Sequence, residues 1–210
     1  MPVAVSFDLF GTLVAVDGPD DPGAAVADAL AEQGVAVPDD WNLAYREAHA
    51  SVEPGAEYPL TDHVRDALAS RGVAAAEETV ISAVREAFDA PVRTREGARR
   101  AVAAASERGP VGILSNCSVP GLVERTLDRS ALDPGAFDAV VASVDCGWRK
   151  PDPRAFQEVA DELGVGVDAL VHVGDDPATD GGASAVGATA LVLEDAPLAT
   201  LPERLGEGPG

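Results

Sequence analysis

The sequence predicts an α/β fold, a doubly wound parallel sheet carrying an inserted all-helical domain, and three observations predict it. Short apolar runs, most of them Val-rich, recur at Val3–Phe7, Val111–Leu114, Ala139–Ala142, Leu170–Val173 and Ala190–Leu193. Several carry no charge, as expected of strands buried on both faces. Helical patterns alternate with the later runs, at Thr94–Arg108, Val119–Arg129, Pro153–Leu163 and Pro177–Val186, and such alternation builds parallel sheets. The interval from about Val16 to Val92 breaks that rhythm, with four helix-like stretches and no convincing strand.

Those four stretches lie near Gly23–Gln33, Asp40–Val52, Leu60–Ser70 and Ala75–Asp89. Asp39-Asp40 before Trp41 and Thr61-Asp62 before His63 read as helix starts, and Gly34 and Gly72 as stops. Asp17–Asp21 and Ala90–Thr94, rich in Gly, Pro and Asp, read as the two crossings between domains. The predicted division is a core of 1–15 and 93–210 and a helical insert of 16–92. An insert placed directly after the first strand sits over the sheet edge at which α/β folds bind ligands.

Composition narrows the function. At 210 residues the chain can bury a sizeable core, filled by Val, Ala and Leu because aromatics are only 4%. Its net charge of −21 disfavours nucleic acid and anionic membrane surfaces as partners. The acids are spread along the chain, and 14 of the 15 basic residues are Arg. This pattern resembles proteins of salt-loving organisms, in which a Debye length of about 3 Å at 1 M salt screens self-repulsion. Cys117 and Cys146 have no metal-site spacing and read as small buried hydrophobes. With no leader-like segment and no run of 18 apolar residues, a cytoplasmic monomer or homodimer acting on a small molecule is expected.

Five places carry chemistry. The first strand breaks at Asp8-Leu9-Phe10-Gly11-Thr12, presenting a carboxylate at a strand end. Ser115-Asn116 ends the second core strand, and Lys150 stands in Trp148-Arg149-Lys150-Pro151-Asp152. Gly174-Asp175-Asp176, followed by Asp180, ends another strand. Asp8, Asp175 and Asp176 on converging strand ends would raise one another's pKa unless a cation sat between them. Oxygen ligands that leave room for water and substrate suit Mg²⁺. Lys150 is the one Lys of the chain, and Lys supplies a compact point charge that Arg cannot reproduce. Blander readings exist: a turn-capping Asp8, a turn Ser115, and acids decorating a helix N-terminus, most plausible for Asp176. His172, inside an apolar run, reads as a satisfied core residue.

Taken together, these segments resemble the haloacid dehalogenase (HAD) superfamily in family order and over almost the whole chain. The resemblance implies a HAD-like Rossmannoid core with a helical cap. It implies Asp8 as covalent nucleophile, oriented by Thr12, and Ser115, with Asn116 beside it, holding a phosphoryl or carboxylate oxygen. Lys150 would neutralise nucleophile and transferred group. Mg²⁺ would be held by Asp8, the backbone carbonyl of Phe10, Asp175, Asp176 and Asp180. The family motif is Asp-x-Asp-x-Thr, and its second Asp, the general acid/base, is Phe10 here.

Losing a general acid costs about 10²–10⁴ in rate, so leaving groups that need no proton are favoured: acyl phosphates, activated aryl phosphates and carbon–halogen bonds. The expected activity is Mg²⁺-dependent hydrolysis of a small phosphorylated metabolite. The rival is a metal-independent 2-haloacid dehalogenase. Those enzymes resemble this chain in carrying an aromatic residue at the position of Phe10, and Arg46 would match their halide-binding Arg. Against the rival, Asp175 and Asp176 are retained, and Phe156 stands in the region where they have a Tyr. Phosphonate-cleaving relatives need a cap Lys, and none exists between 16 and 92. A third reading is a catalytically impaired ligand-binding protein.

Overall fold

A computed structural model of the chain describes residues 3–193 and 198–206. Five parallel strands form the central sheet in the order β5-β4-β1-β6-β7: β1 (Ala4–Phe7), β4 (Val111–Ser115), β5 (Ala139–Ala142), β6 (Leu170–Gly174) and β7 (Thr189–Val192). Every apolar run singled out above becomes one of them. The runs are uninterrupted because both faces are covered. Along β1, Val5 and Phe7 join one apolar cluster and Ala4 the other. Helix α5 (Ala98–Ser106) packs on β1 and β4, and α8 (Pro153–Glu162) on β4 and β5. Both faces thus carry helices, and the fold is α/β and doubly wound.

Register places the chemistry. Phe7 pairs with Ile113 on one side and Val173 on the other. Asp8, Ser115 and Asp175 therefore follow within one or two residues of a common line at the carboxyl edge of the sheet. The Asp8 N–H donates to the Val173 carbonyl at 2.8 Å, which fixes the turn out of β1 against β6.

Between β1 and α5 the chain forms α1 (Pro22–Glu32), α2 (Trp41–Arg46), α3 (Leu60–Ser70) and α4 (Glu77–Ala87), a helical region consistent with a cap. Helix α1 starts with Pro22 behind Asp21, whose side chain accepts from the Ala24 N–H at 3.1 Å. Gly34 and Gly72, at φ 81° and 73°, end their helices in the left-handed region. Trp41 is buried and its indole N–H donates to the Gly23 carbonyl at 2.8 Å, so it is a packing residue of this region.

Three expectations need correction. The crossing at Ala90–Thr94 is not wholly irregular: β3 (Val92–Thr94) pairs antiparallel with β2 (Val14–Val16), which lies just before the other crossing, Asp17–Asp21, as a ribbon too short to show a period. The helix expected over Asp40–Val52 ends at Arg46, because Glu47 turns extended and the chain, with Pro54, Gly55 and Pro59, runs on to meet the core. The helix expected over Pro177–Val186 is a 3₁₀ segment, Asp180–Val186. Gly182 there approaches Pro151 so closely that a Cβ would lie 2.5 Å from the ring. Two short helices had no periodic signal, α7 (Ser143–Cys146) and α9 (Leu201–Gly206); α6 is Leu122–Arg129.

Candidate active site

Asp8, Ser115, Lys150, Asp175 and Asp180 line one cleft of about 200 Å³ at the carboxyl edge of the sheet, with Phe10, Asn116, Asp176 and Thr179. Lys150 is almost fully buried, and its ammonium donates to Asp8 Oδ1 at 2.8 Å and to Asp180 Oδ1 at 2.6 Å. Lys150 thus engages Oδ1 of Asp8 and not Oδ2. Burial pushes the Asp8 carboxyl up to about 6; Lys150 pulls against that, while Asp180 and Asp175 add to it.

Asn116 holds Lys150 in place. Its amide N–H donates to the Lys150 carbonyl at 2.9 Å, and its oxygen accepts from the Lys150 N–H at 2.8 Å. The side chain expected to touch substrate is thus occupied in positioning the lysine. Thr12 differs from expectation in the same way. Its buried hydroxyl donates to Asp175 Oδ1 at 2.6 Å, so it orients Asp175 rather than Asp8. Gly11, at φ +87°, sits where a Cβ would lie 2.5 Å from Asp175 Oδ2. Only glycine fits that turn.

Each of Asp8, Asp175 and Asp180 offers an oxygen within 4.8 Å of the others. Asp176 is not part of this cluster. Its oxygens accept from the Ala178 N–H at 2.9 Å and the Thr179 hydroxyl at 3.1 Å, so it caps its own turn. Oδ2 of Asp180 accepts from the Asp176 N–H at 3.0 Å. Burial works against ionisation of Asp180, but the His172 hydrogen bond and the Lys150 charge overcome it and hold the carboxyl well below the usual carboxylate range.

His172 is the satisfied core residue the sequence suggested, and it also touches the site. It is fully buried; Nε2 lies 3.0 Å from Asp180 Oδ1, and Nδ1 lies 2.8 Å from the Ser6 hydroxyl. A carboxylate can only accept, so Nε2 carries the proton and Nδ1 accepts from Ser6. Burial pushes the imidazole down to about 4, against the pull of Asp180, and keeps it neutral. A chain of contacts therefore runs Ser6–His172–Asp180–Lys150–Asp8. The sequence did hold a signal: Ser6 and His172 are the polar interruptions of two apolar strands, and they are paired in register.

Ser115 is fully buried, and its Oγ is the one buried side-chain polar atom among the described residues without a hydrogen-bond partner. A buried hydroxyl left unpaired costs about 1–3 kcal/mol, so the site is built for an oxygen that a ligand brings. The donor set fits Mg²⁺ as well. Three carboxylates against one ammonium leave two negative charges uncompensated, the charge of one such ion, and all the donors are hard oxygens. Arg46 is exposed on α2 and lines neither this cleft nor the adjoining cavity. Phe156 is buried beneath the sheet, edge-on to His172 at 5.3 Å, and is a core residue.

Comparison with known proteins agrees with this geometry. The family described as "Hydrolase: haloacid dehalogenase-like hydrolase" matches residues 3–187. "Phosphatase MT3486" of Mycobacterium tuberculosis (strain CDC 1551 / Oshkosh) is 35% identical over 98 residues, 46% of this chain and 45% of that protein, so the chain spans under half the length of this relative. The crystal structure of a 2-haloacid dehalogenase from Pseudomonas syringae pv. Tomato DC3000 superposes with a TM-score of 0.68 at 23% identity, over 99% of both chains. A HAD family enzyme from Bacteroides thetaiotaomicron, solved with magnesium and inorganic phosphate, has a TM-score of 0.59 at 12% identity over 92% of this chain and 95% of its own. At those identities the two structures attest the fold alone. The family match over most of the chain, on a site with these residues at these strand ends, establishes that the protein belongs to the haloacid dehalogenase-like hydrolases.

Proposed function

We propose that the protein is a Mg²⁺-dependent phosphatase that works through Asp8 on small phosphorylated molecules whose leaving group departs without a proton. The observation that carries this reading is the acid cluster of Asp8, Asp175 and Asp180 beside the unpaired Ser115 hydroxyl. Asp180 pairs with Lys150 without any metal, but Asp175 adds a further carboxylate beside Asp8 that a metal-free displacement at carbon does not need. It is what a cation between protein and phosphate requires.

Asp8, Asp175 and Asp180 would hold the ion, which when bound neutralises charge on the transferred group and its nucleophile. Asp8 Oδ2 attacks phosphorus, and the bond from phosphorus to the leaving oxygen breaks with its electron pair on that oxygen. The Lys150 ammonium, fixed by Asn116 and Asp180, holds the Asp8 carboxylate and offsets the charge that gathers as phosphorus is transferred. The Ser115 hydroxyl donates to a phosphoryl oxygen. Phe10 supplies no proton, so the leaving oxygen must be stable as an anion. Water then attacks phosphorus, the electron pair of the phosphorus–Asp8 bond returns to the carboxylate, and one proton passes to solvent.

A substrate screen with and without EDTA, on wild type and Asp8→Asn, tests the reading. Acyl and activated aryl phosphates should be cleaved only with Mg²⁺, and only by wild type. Halide release from 2-haloacids in EDTA would overturn it in favour of dehalogenation.

A further inference from the structure

The catalytic cleft does not end at Phe10. Phe10 and Asn116 also line a second cavity of about 430 Å³, within the ~300–1,000 Å³ typical of ligand sites. Its walls come from both parts of the molecule. Val16, Leu60 and Phe88 belong to the ribbon and the helical region, and Val119 and Leu122 to the loop and helix after β4. Cys117 adds to them, its thiol pushed up to about 11 by burial and therefore a neutral, apolar surface.

Apart from the Thr126 hydroxyl, the polar side chains on these walls have partners elsewhere. Both ends of the Asn116 amide bind the Lys150 backbone, and the Ser118 hydroxyl accepts from Arg149 at 2.9 Å. Arg125 and Arg129 are both paired with Asp89. A sugar or polyol seated here would bury hydroxyls with few partners, which is costly. An apolar body would not.

Phe10 therefore does two things at once. It withholds a proton from the leaving group and forms the apolar wall over which that group would lie. On the proposed phosphatase reading, we propose that the apolar cavity receives the leaving group, and that the substrate class is an apolar aryl or acyl phosphate. In such a substrate the scissile phosphorus–oxygen bond breaks with its electron pair on a phenolate or carboxylate oxygen. No acid is required, and the apolar body stays in the cavity while the phosphoryl group passes to Asp8.

The test separates pocket from chemistry. Binding of phenylphosphonate and methylphosphonate, which cannot be hydrolysed, is measured calorimetrically with Mg²⁺ on wild type and on Leu122→Trp, which fills the cavity. Orthophosphate release from benzoyl phosphate and acetyl phosphate is measured beside it. Wild type should bind the phenyl compound at least about tenfold more tightly, as one apolar group in a fitted pocket gives. Leu122→Trp should bring that ratio close to one. The wild-type ratio stands whether or not the variant folds. Acetyl phosphate cleaved with no phenyl preference in either assay overturns the pocket and spares the phosphatase. A phenyl preference without orthophosphate release keeps the pocket and overturns the phosphatase. Failure of both phosphonates to bind overturns the pocket.

Discussion

Two single residues separate this site from a generic acid cluster. Ser115 is stored at a cost: its buried hydroxyl has no partner, so Ser115→Ala should leave thermal stability unchanged or raise it by up to ~1 kcal/mol. The same variant should lose about tenfold or more in kcat/KM, the size expected when a donor to a developing charge is removed. A melting curve and a steady-state assay check both halves. Phe10 is the other. Phe10→Asp restores a proton carrier, so turnover of simple alkyl phosphates should rise toward the ~10²–10⁴ that general acid catalysis contributes. An unchanged rate would mean that the proton step does not limit the wild-type enzyme. Much of the site was legible in the sequence because strand ends announce themselves: Asp8, Ser115, Asp175 and Asp180 close or follow apolar runs, and they share one cleft with Lys150, which lies beyond α7 and stood out as the one Lys of the chain. What was not legible is where each side chain spends its hydrogen bonds. Thr12 turns to Asp175, Asn116 to the Lys150 backbone and Asp176 to its own turn, and no spacing rule encodes those choices.

Between elements, one tie crosses from the helical region to the core. The segment before α3 runs beside the loop after α7: the Glu57 N–H donates to the Gly147 carbonyl at 2.8 Å, and the Arg149 N–H donates to the Gly55 carbonyl at 2.9 Å. The Glu57 side chain is 2% exposed, pairs with Arg149 at 2.7 Å and accepts from the Ser143 hydroxyl. Removing one partner of such a group leaves the other unsatisfied. Glu57→Ala should lower stability by about 1–3 kcal/mol and speed proteolysis in the 47–59 segment, whereas Glu57→Gln should retain most of both. Equal effects of the two substitutions would show that the side chain only fills space. This strap is also why the helix expected to continue to Val52 stops at Arg46: the backbone is drawn out to pair with the core. Helix periodicity in a window cannot register a competing partner about a hundred residues away. The sheet strands, fully buried in β1, β4 and β6 and partly so in β5 and β7, had no such competitor and were legible, while three-residue strands such as β2 and β3 fall below what a period can show.

At the scale of the whole molecule, charge and catalysis are decoupled. The net charge is −21, and among the described residues every Asp and Glu except Asp8, Asp180 and the Glu57 side chain is at least partly exposed, whereas the site holds its own buried compensation through Lys150. Surface self-repulsion is screened by salt and buried pairs much less so. The melting temperature should therefore rise markedly between 0.1 and 2 M KCl (both roughly chosen to move the Debye length from about 10 Å to below 3 Å). A melting temperature independent of salt would remove the case for adaptation to high salt. No helix among the described residues is long and apolar enough to cross a membrane. In the proposed reaction Asp8 takes the phosphoryl group from a substrate. Without an acid/base at position 10, the aspartyl-phosphate is hydrolysed slowly and should accumulate. Acid quench of wild type during turnover of benzoyl phosphate with Mg²⁺, followed by peptide mass analysis, measures this directly. One added phosphoryl group is expected on the peptide containing Asp8, absent in Asp8→Asn. Orthophosphate release that persists undiminished in Asp8→Asn, with no phosphoryl group on that peptide in wild type, would contradict it.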